Sequence, residues 1–466
     1  MDPFSSASEL ARGIRSRRFT AAEVVELYLS RIGKHNPALN AVCTVDAKGA
    51  RERAAEADRA LARGEAWGPL HGVPMTIKDA LETAGVRTTA GHPPLKDYVP
   101  KTDAVAVAKL RAAGAILLGK SNVPPLSADY RADNPIFGRT NNPWDLERTP
   151  GGSSGGAAAA VAAGLSAFDV GSDLAGSVRT PAHFCGLFAL KATEGRVSNA
   201  GHIPELPGQP RAVRHMNVLG PLTRSIEDLE LVTKAMCEPP VPWVSEKEIS
   251  SPRIAWSVDF AGVPVTRETK DAIAALAAKL GAEQRNPDGF DFEQAWELWG
   301  EIAIIERAAT GGDRARERVA ALNATLGERW AVARGSARGA RATLADYAVA
   351  LTRKDQLAAV LEKFFEHWDA FICPVTVSPA IPHVPFGTPI DVDAAKVPYF
   401  IAGTAYTCPF NLTGHPVAIL PLTKSSSGLP IGVQVVGPLW SEPALLQIAR
   451  RIAQITGPFT PPPNFA

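Results

Sequence analysis

The chain is poor in cysteine and almost without net charge, and each shortage closes off a class of function. Only five cysteines stand among 466 residues. Cys43, Cys185, Cys237, Cys373 and Cys408 are far apart, and none sits in a CxxC or Cys/His spacing that would hold zinc. A disulfide framework is excluded, and buried free thiols in a reducing compartment are expected. With 49 basic against 48 acidic residues the net charge is +1, which leaves no electrostatic footprint for nucleic acid or an anionic membrane. The local run Arg12, Arg15, Arg17 and Arg18 reads as a solvated helix face. Long hydrophobic runs are missing too: Ala157–Leu165 is too short and too rich in Ala and Gly to span a bilayer. The opening MDPFSSASELARG lacks the basic start and apolar run of a signal peptide. These absences predict a cytoplasmic protein that engages neither nucleic acid nor membrane.

What is present is an ordinary globular composition, 45% hydrophobic and 21% charged, in a chain long enough to bury a large core. Residues 5–63 read as helical. Thr20 and Glu23 form a capping-box pair ahead of apolar Val24, Val25, Leu27, Tyr28, Leu29 and Ile32, and Asp46–Arg63 reads as an amphipathic helix. The pattern then changes to short β-branched strands alternating with helices. Val73–Asp79, Ala115–Leu118 and Ala167–Val170 are predicted strands, and Thr102–Ala113 and Ala157–Ala163 are predicted helices. That alternation predicts an α/β fold with a mixed, mostly parallel twisted sheet surrounded by helices. Residues 240–370 are mainly helical in pattern, with a long helix from about Leu344 to Trp368. Phe371–Val375 returns to strand character, and Val417–Gly437 reads as two strands joined by a Ser/Gly turn. We therefore expect one domain over residues 1–466. It comprises an N-terminal helical segment (1–65), a core with the Ser/Gly-rich motifs (66–240), a helical insertion or cap (240–370), and a C-terminal return to the sheet (371–466).

Two segments carry the chemistry. Gly151-Gly152-Ser153-Ser154-Gly155-Gly156 places two hydroxyls where glycine lets the backbone depart from standard angles. Gly171-Ser172-Asp173-Leu174-Ala175-Gly176-Ser177-Val178-Arg179-Thr180-Pro181 follows a predicted strand directly, where ligands meet an α/β sheet. There Ser177 would be flanked by backbone N–H groups able to stabilise an oxyanion. Either segment alone could be a plain turn. No Gly-Lys-Ser/Thr follows the glycines, so a phosphate loop is excluded, and G-x-G-x-x-G is absent from this stretch. Gly151–Gly155 does fit the nucleophile elbow G-x-S-x-G. That reading needs a catalytic histidine, and His202, His215, His383 and His415 are each expected to be structural or exposed instead.

Taken together, TIKD (Thr76–Asp79), TPGGSSGGAAAAVAAG (Thr149–Gly164) and GSDLAGSVRTPAHFCGLFALKAT (Gly171–Thr193) resemble the amidase signature family. GPLHGVP (Gly68–Pro74), NPWDLERTPGG (Asn142–Gly152) and GLPIGVQVVG (Gly428–Gly437) extend the resemblance over nearly the whole chain, most weakly at 240–370. The resemblance implies a hydrolase of amide-type C–N bonds. In such enzymes Ser177 would be the acyl-forming nucleophile, Ser153 the bridging serine behind a cis peptide bond, and Lys78 the base. The backbone N–H groups of Leu174, Ala175, Gly176 and Ser177 would form the oxyanion hole. Asp173 and Arg179 would brace the loop, with Ser154 in a secondary role. The residue types suit the chemistry: a serine hydroxyl needs a neighbouring base, and burial keeps a lysine neutral enough to serve.

Departures from the family pattern are Ala175 where glycine is common, Lys191-Ala192-Thr193 in place of Lys-Pro-Thr, and GKSNVPPL (Gly119–Leu126), which lacks an acidic residue. The segments near 123–136, 298–330 and 385–406 are expected to shape the pocket, and their apolar content favours an aryl amide or aryl carbamate, with ester cleavage as a side activity. Two other readings stand beside this one: the glutaminase subunit of a tRNA-dependent amidotransferase, and a catalytically inactive binding protein on the same fold. The expected partner is a small-molecule substrate, the expected state a monomer or homodimer, and no metal or organic cofactor is implied.

Overall fold

A computed structural model describes residues 1–203, 213–237, 243, 249–327 and 329–466. The chain opens with helices α1 (Ala7–Arg15) and α2 (Ala21–Leu39), strand β1 (Val42–Val45) and helix α3 (Ala47–Ala62). The start of α2 is set by the expected capping box: Glu23 N–H donates to Thr20 Oγ1 at 3.1 Å, and Thr20 N–H donates to Glu23 Oε2 at 2.7 Å. Its end is set by Asn40, which adopts the left-handed conformation at φ 50°. Strand β1 lies within a segment whose pattern reads as helical; it pairs antiparallel with a strand from the core.

The core follows with β2 (Pro74–Lys78), α4 (Val105–Ala112), β3 (Ile116–Ser121), the short pair β4 (Asp133–Asn134) and β5 (Gly138–Arg139), α5 (Gly155–Ala162), β6 (Phe168–Asp173), α6 (Arg179–Cys185), β7 (Phe188–Lys191), β8 (Val218–Thr223) and α7 (Ile226–Met236). The middle segment holds β9 (Ile254–Trp256), α8 (Arg267–Leu280), β10 (Glu283–Gln284), α9 (Phe292–Leu326), α10 (Ala331–Gly339) and α11 (Leu344–Phe365). The C-terminal part adds β11 (Ala370–Pro374), the pair β12 (Ile390–Val392) and β13 (Ala395–Val397), α12 (Tyr399–Thr404), α13 (Cys408–Leu412), β14 (Val417–Lys424), β15 (Pro430–Val436) and α14 (Glu442–Thr456).

Eleven strands form one sheet in the order β1-β3-β2-β6-β8-β7-β14-β15-β11-β9-β10. The expectation of a mixed sheet holds, but not that of a mostly parallel one. Pairing is parallel only in two patches, β3-β2-β6 and β11-β9-β10, and antiparallel across the middle and at β1. The reason is connectivity. Helical crossovers link β2 to β3 and β3 to β6, which makes them parallel, whereas β14 and β15 are joined by a tight turn and can only run antiparallel. Strands β9 and β10 extend the sheet from inside 240–370, a segment whose pattern reads as helical.

Apolar clusters line the sheet: one beneath α1–α4, α5 and α7, one among α6 and α9–α13, and one against α8 and α14. Helix α5 is buried along its whole length. Its Gly/Ala composition has a steric cause, since a Cβ at Gly156 would stand 2.2 Å from the backbone nitrogen of Asn122. No described helix is long and apolar enough to cross a membrane.

Candidate active site

The site lies at the carboxyl ends of β2 and β6 in the first parallel patch, the edge where open α/β sheets bind ligands. Lys78 is the last residue of β2, and Ser172 and Asp173 end β6. The loop before α5 brings Ser153 and Ser154 over these ends, with a cis peptide bond between Gly152 and Ser153. A glycine is required at 152 because the backbone of Tyr130 and Arg131 would lie 2.6 Å from any Cβ there.

Lys78 is fully buried. Its Nζ lies 2.6 Å from Ser153 Oγ, 2.9 Å from Ser172 Oγ and 3.4 Å from the Ser172 carbonyl. Burial lowers its pKa from 10.5 to about 7, against the opposing pull of Asp173 and Asp169. Half-buried Ser177 shares with Ser153 a small cavity of about 20 Å³, room for roughly one water. No hydrogen bond joins the Ser153 and Ser177 hydroxyls. The Ser177 carbonyl accepts from Ser154 N–H at 3.1 Å, and Ser154 Oγ donates to the Ser172 carbonyl at 3.4 Å.

Asp173 and Arg179 form a fully buried ion pair. Arg179 Nη2 lies 2.9 Å from Asp173 Oδ1, and Nε lies 3.0 Å from Oδ2. The same carboxylate accepts the backbone N–H groups of Gly176 at 2.7 Å and Val178 at 3.0 Å. Burial alone would raise the Asp173 pKa. The Arg179 charge and these hydrogen bonds outweigh it and hold the carboxyl well below its usual range. The loop is also held by its carbonyls: Trp299 Nε1 donates to Leu174 O at 3.0 Å, and Thr407 Oγ1 donates to Ala175 O at 2.7 Å. In a trans peptide the N–H points opposite the carbonyl, so Trp299 also sets the direction of the Ala175 N–H. The turn needs glycine at 176, where φ is +109° and Thr407 Oγ1 lies 2.7 Å from a Cβ position.

The structure departs from expectation at Gly176. Its N–H is closed onto Asp173, so it is not an open donor as the loop stands. Among the described residues, none accepts the N–H of Leu174, Ala175 or Ser177. Two cavity residues escape the sequence reading. Ser172 bridges Lys78 and His202, with its Oγ 2.8 Å from His202 Nε2. His202, expected to be structural or exposed, is buried at the cavity wall. Ser172 lies within the Gly171–Pro181 motif but its residue type alone marks no role, and nothing local to His202 signals the site; the bridge that pairs His202 with Leu81 brings the two together. Of the segments expected to shape the pocket, the first contributes Leu126 and Ser127 and the second Arg307. The third contributes no residue to the cavity lining; its Phe400 packs on Trp299 with ring centroids 5.7 Å apart. His383 and His415 lie elsewhere, and His215 is paired with Glu306 at 2.6 Å. Among the described residues, no group of three or more His, Cys, Asp or Glu side chains is arranged to hold a metal ion.

A family model described as Amidase matches residues 23–446. Indoleacetamide hydrolase of Bradyrhizobium diazoefficiens is 33% identical, across 97% of this chain and 86% of its own. One chain of the glutamyl-tRNA(Gln) amidotransferase of Synechococcus sp. is also 33% identical, across 97% of this chain and 96% of its own. A crystal structure described as an amidase superposes with a TM-score of 0.81 at 30% identity, covering 97% of this chain and 100% of that one.

Proposed function

This chain belongs to the amidase signature family and is an amidase acting on C–N bonds other than peptide bonds, and on that premise we propose that it works through an acyl-enzyme on Ser177, with Ser153 as proton relay and Lys78 as base. One observation carries the proposal: a fully buried amine with its pKa lowered to about 7 stands 2.6 Å from Ser153 Oγ, on the same cavity as Ser177. Neutral Lys78 takes the Ser153 proton while Ser153 takes that of Ser177. Ser177 Oγ then attacks the substrate carbonyl carbon. The oxyanion is received by the open N–H groups of Leu174, Ala175 and Ser177, each typically worth about 3 kcal/mol of barrier. The proton returns through Ser153 to the leaving nitrogen, the C–N bond breaks, and water hydrolyses the acyl-enzyme. The Ser153–Ser177 contact closes when substrate occupies the site, as catalytic hydrogen bonds commonly do. Helix α9 serves as the cover, since Arg307 lines the cavity and Trp299 holds Leu174.

For substrate we favour an aryl amide or aryl carbamate, with ester cleavage as a side activity. Leu126 and Leu174 on the cavity and the similarity to an indoleacetamide hydrolase support that choice. The equal similarity to a chain of an amidotransferase favours a second reading, glutamine hydrolysis within a complex. A turnover panel of aryl amides, carbamates, esters and glutamine separates the two. The purified chain is expected to hydrolyse aryl amides unaided, to be labelled at Ser177 by a fluorophosphonate, and to lose both properties in Ser177→Ala. Glutamine turnover appearing only with a partner chain would favour the second reading. Amide hydrolysis surviving in Ser177→Ala would overturn the assignment of the nucleophile, and absence of both label and turnover would point to an inactive binding protein.

A further inference from the structure

We propose that His202 is a positioning residue for the base: as a neutral acceptor at Nε2 it accepts a hydrogen bond from the Ser172 hydroxyl and so reserves the Lys78 lone pair for Ser153. The inference rests on the reading of Lys78 as the base. A neutral lysine amine has two N–H bonds and one lone pair. Two hydroxyls lie within reach of that lone pair, Ser153 Oγ at 2.6 Å and Ser172 Oγ at 2.9 Å. Only the first leads to Ser177. If Ser172 also donated to Lys78, it would compete with the productive proton transfer. His202 Nε2, 2.8 Å from Ser172 Oγ, offers that proton another destination. Ser172 can then accept an N–H from Lys78 while donating to His202. The arrangement requires the imidazole proton to be on Nδ1.

The placement of His202 is built into the backbone. Ile203 N–H donates to Ala80 O at 2.8 Å, Glu82 N–H donates to Gly201 O at 2.9 Å, and His202 pairs with Leu81 across the same short bridge. The segment carrying the histidine is thus stapled to the residues that directly follow Lys78, so base and histidine keep their separation. Protonation of His202 turns Nε2 into a donor, closes the outlet for the Ser172 proton, and sets a second cation near Lys78. The charged groups around the pair are Asp169 and Asp173 of β6, Lys120 of β3 behind Asp169, Arg179 of α6 on Asp173, and Arg307 of α9 on the cavity wall. Among the described residues, the hydrogen bonds of the Ser172 hydroxyl are to Lys78 and His202, not to Asp169, Asp173, Lys120 or Arg179.

The test is the pH dependence of kcat in three proteins. The wild type is expected to show an acid limb of slope near two, because both Lys78 and His202 must lose a proton. His202→Leu removes the acceptor and is expected to lower kcat by up to about tenfold, the worth of one hydrogen bond at the upper end, with KM little changed. His202→Gln accepts through its amide oxygen without titrating. It is expected to recover most of the loss and to show an acid limb of slope one, and it keeps the test open if His202→Leu does not fold. Adding Ser172→Ala to His202→Leu removes the competing hydroxyl and is expected to raise kcat above that of His202→Leu alone. A wild-type slope of one together with an unchanged rate in folded His202→Leu would overturn the inference, as would failure of Ser172→Ala to relieve folded His202→Leu. Lys78→Ala and Ser177→Ala are run alongside. If either keeps amide turnover, the reading of the site fails; if both lose it while the His202 variants behave as wild type, only this inference fails.

Discussion

Lys78 sits where a lysine costs stability. Burial drives its pKa from 10.5 to about 7, so below pH 7 the folded protein must hold a charge that the unfolded chain solvates freely. The lysine binds more protons unfolded than folded between about pH 7 and 10, so stability rises with pH across that window. Lys78→Met is therefore expected to abolish turnover yet stabilise the protein by about 3–5 kcal/mol below pH 7, with the gain shrinking towards pH 10. Urea denaturation at several pH values measures it, and a variant no more stable than wild type at pH 6 would contradict the burial argument. On the proposed mechanism the same group would govern activity, and kcat/KM is expected to rise with pH through an apparent value near 7. Full activity at pH 5 would contradict a lysine base.

Helices α9 and α10 connect packing to the candidate site. They approach through glycine: a Cβ at Gly335 would lie 1.7 Å from Glu297 O, and one at Gly300 would lie 2.5 Å from Val332 O. Helix α9 also carries Trp299, which holds the Leu174 carbonyl. Gly335→Ala should push α10 off α9 at a cost of about 1–3 kcal/mol, move Trp299 and loosen the nucleophile loop. A lowered Tm accompanied by a several-fold lower kcat is the expected result, and an unchanged kcat in a destabilised protein would show that α9 does not govern the loop. Much of this level is legible in the sequence. The capping box at Thr20, the strand ending at Lys78 and the hairpin of β14 and β15 depend on local residues. Strands β1, β9 and β10 are not legible, because each is short and is a strand only through the neighbour it pairs with.

Arg179 joins distant parts of the fold. From α6 it reaches Asp173 on β6, the Thr407 carbonyl at 3.0 Å, Asn411 on α13 and Gln434 on β15 at 2.9 Å. It thereby links the parallel patch that carries the site to the antiparallel C-terminal strands. Arg179→Ala leaves a buried carboxylate without its cation and is expected to cost about 3–5 kcal/mol. Asp173 has a depressed pKa in the fold, so its contribution is complete above pH about 4 and is lost as pH falls below that value. The gap between wild type and variant should narrow towards acid, as read by thermal melts at pH 7 and pH 3. A constant gap would mean that the pair is not the source of the stability.

The family was legible in the chain alone. The motifs at Thr76–Asp79, Thr149–Gly164 and Gly171–Thr193 resemble the amidase signature because they are local runs of sequence, and a family model matches residues 23–446. Strand direction, the closure of the Gly176 N–H onto Asp173, and the approach of Ser172 and His202 to Lys78 came only with folding. Each depends on segments far apart in sequence meeting at one end of a sheet, and local patterns of residues carry no record of which distant segment will arrive there.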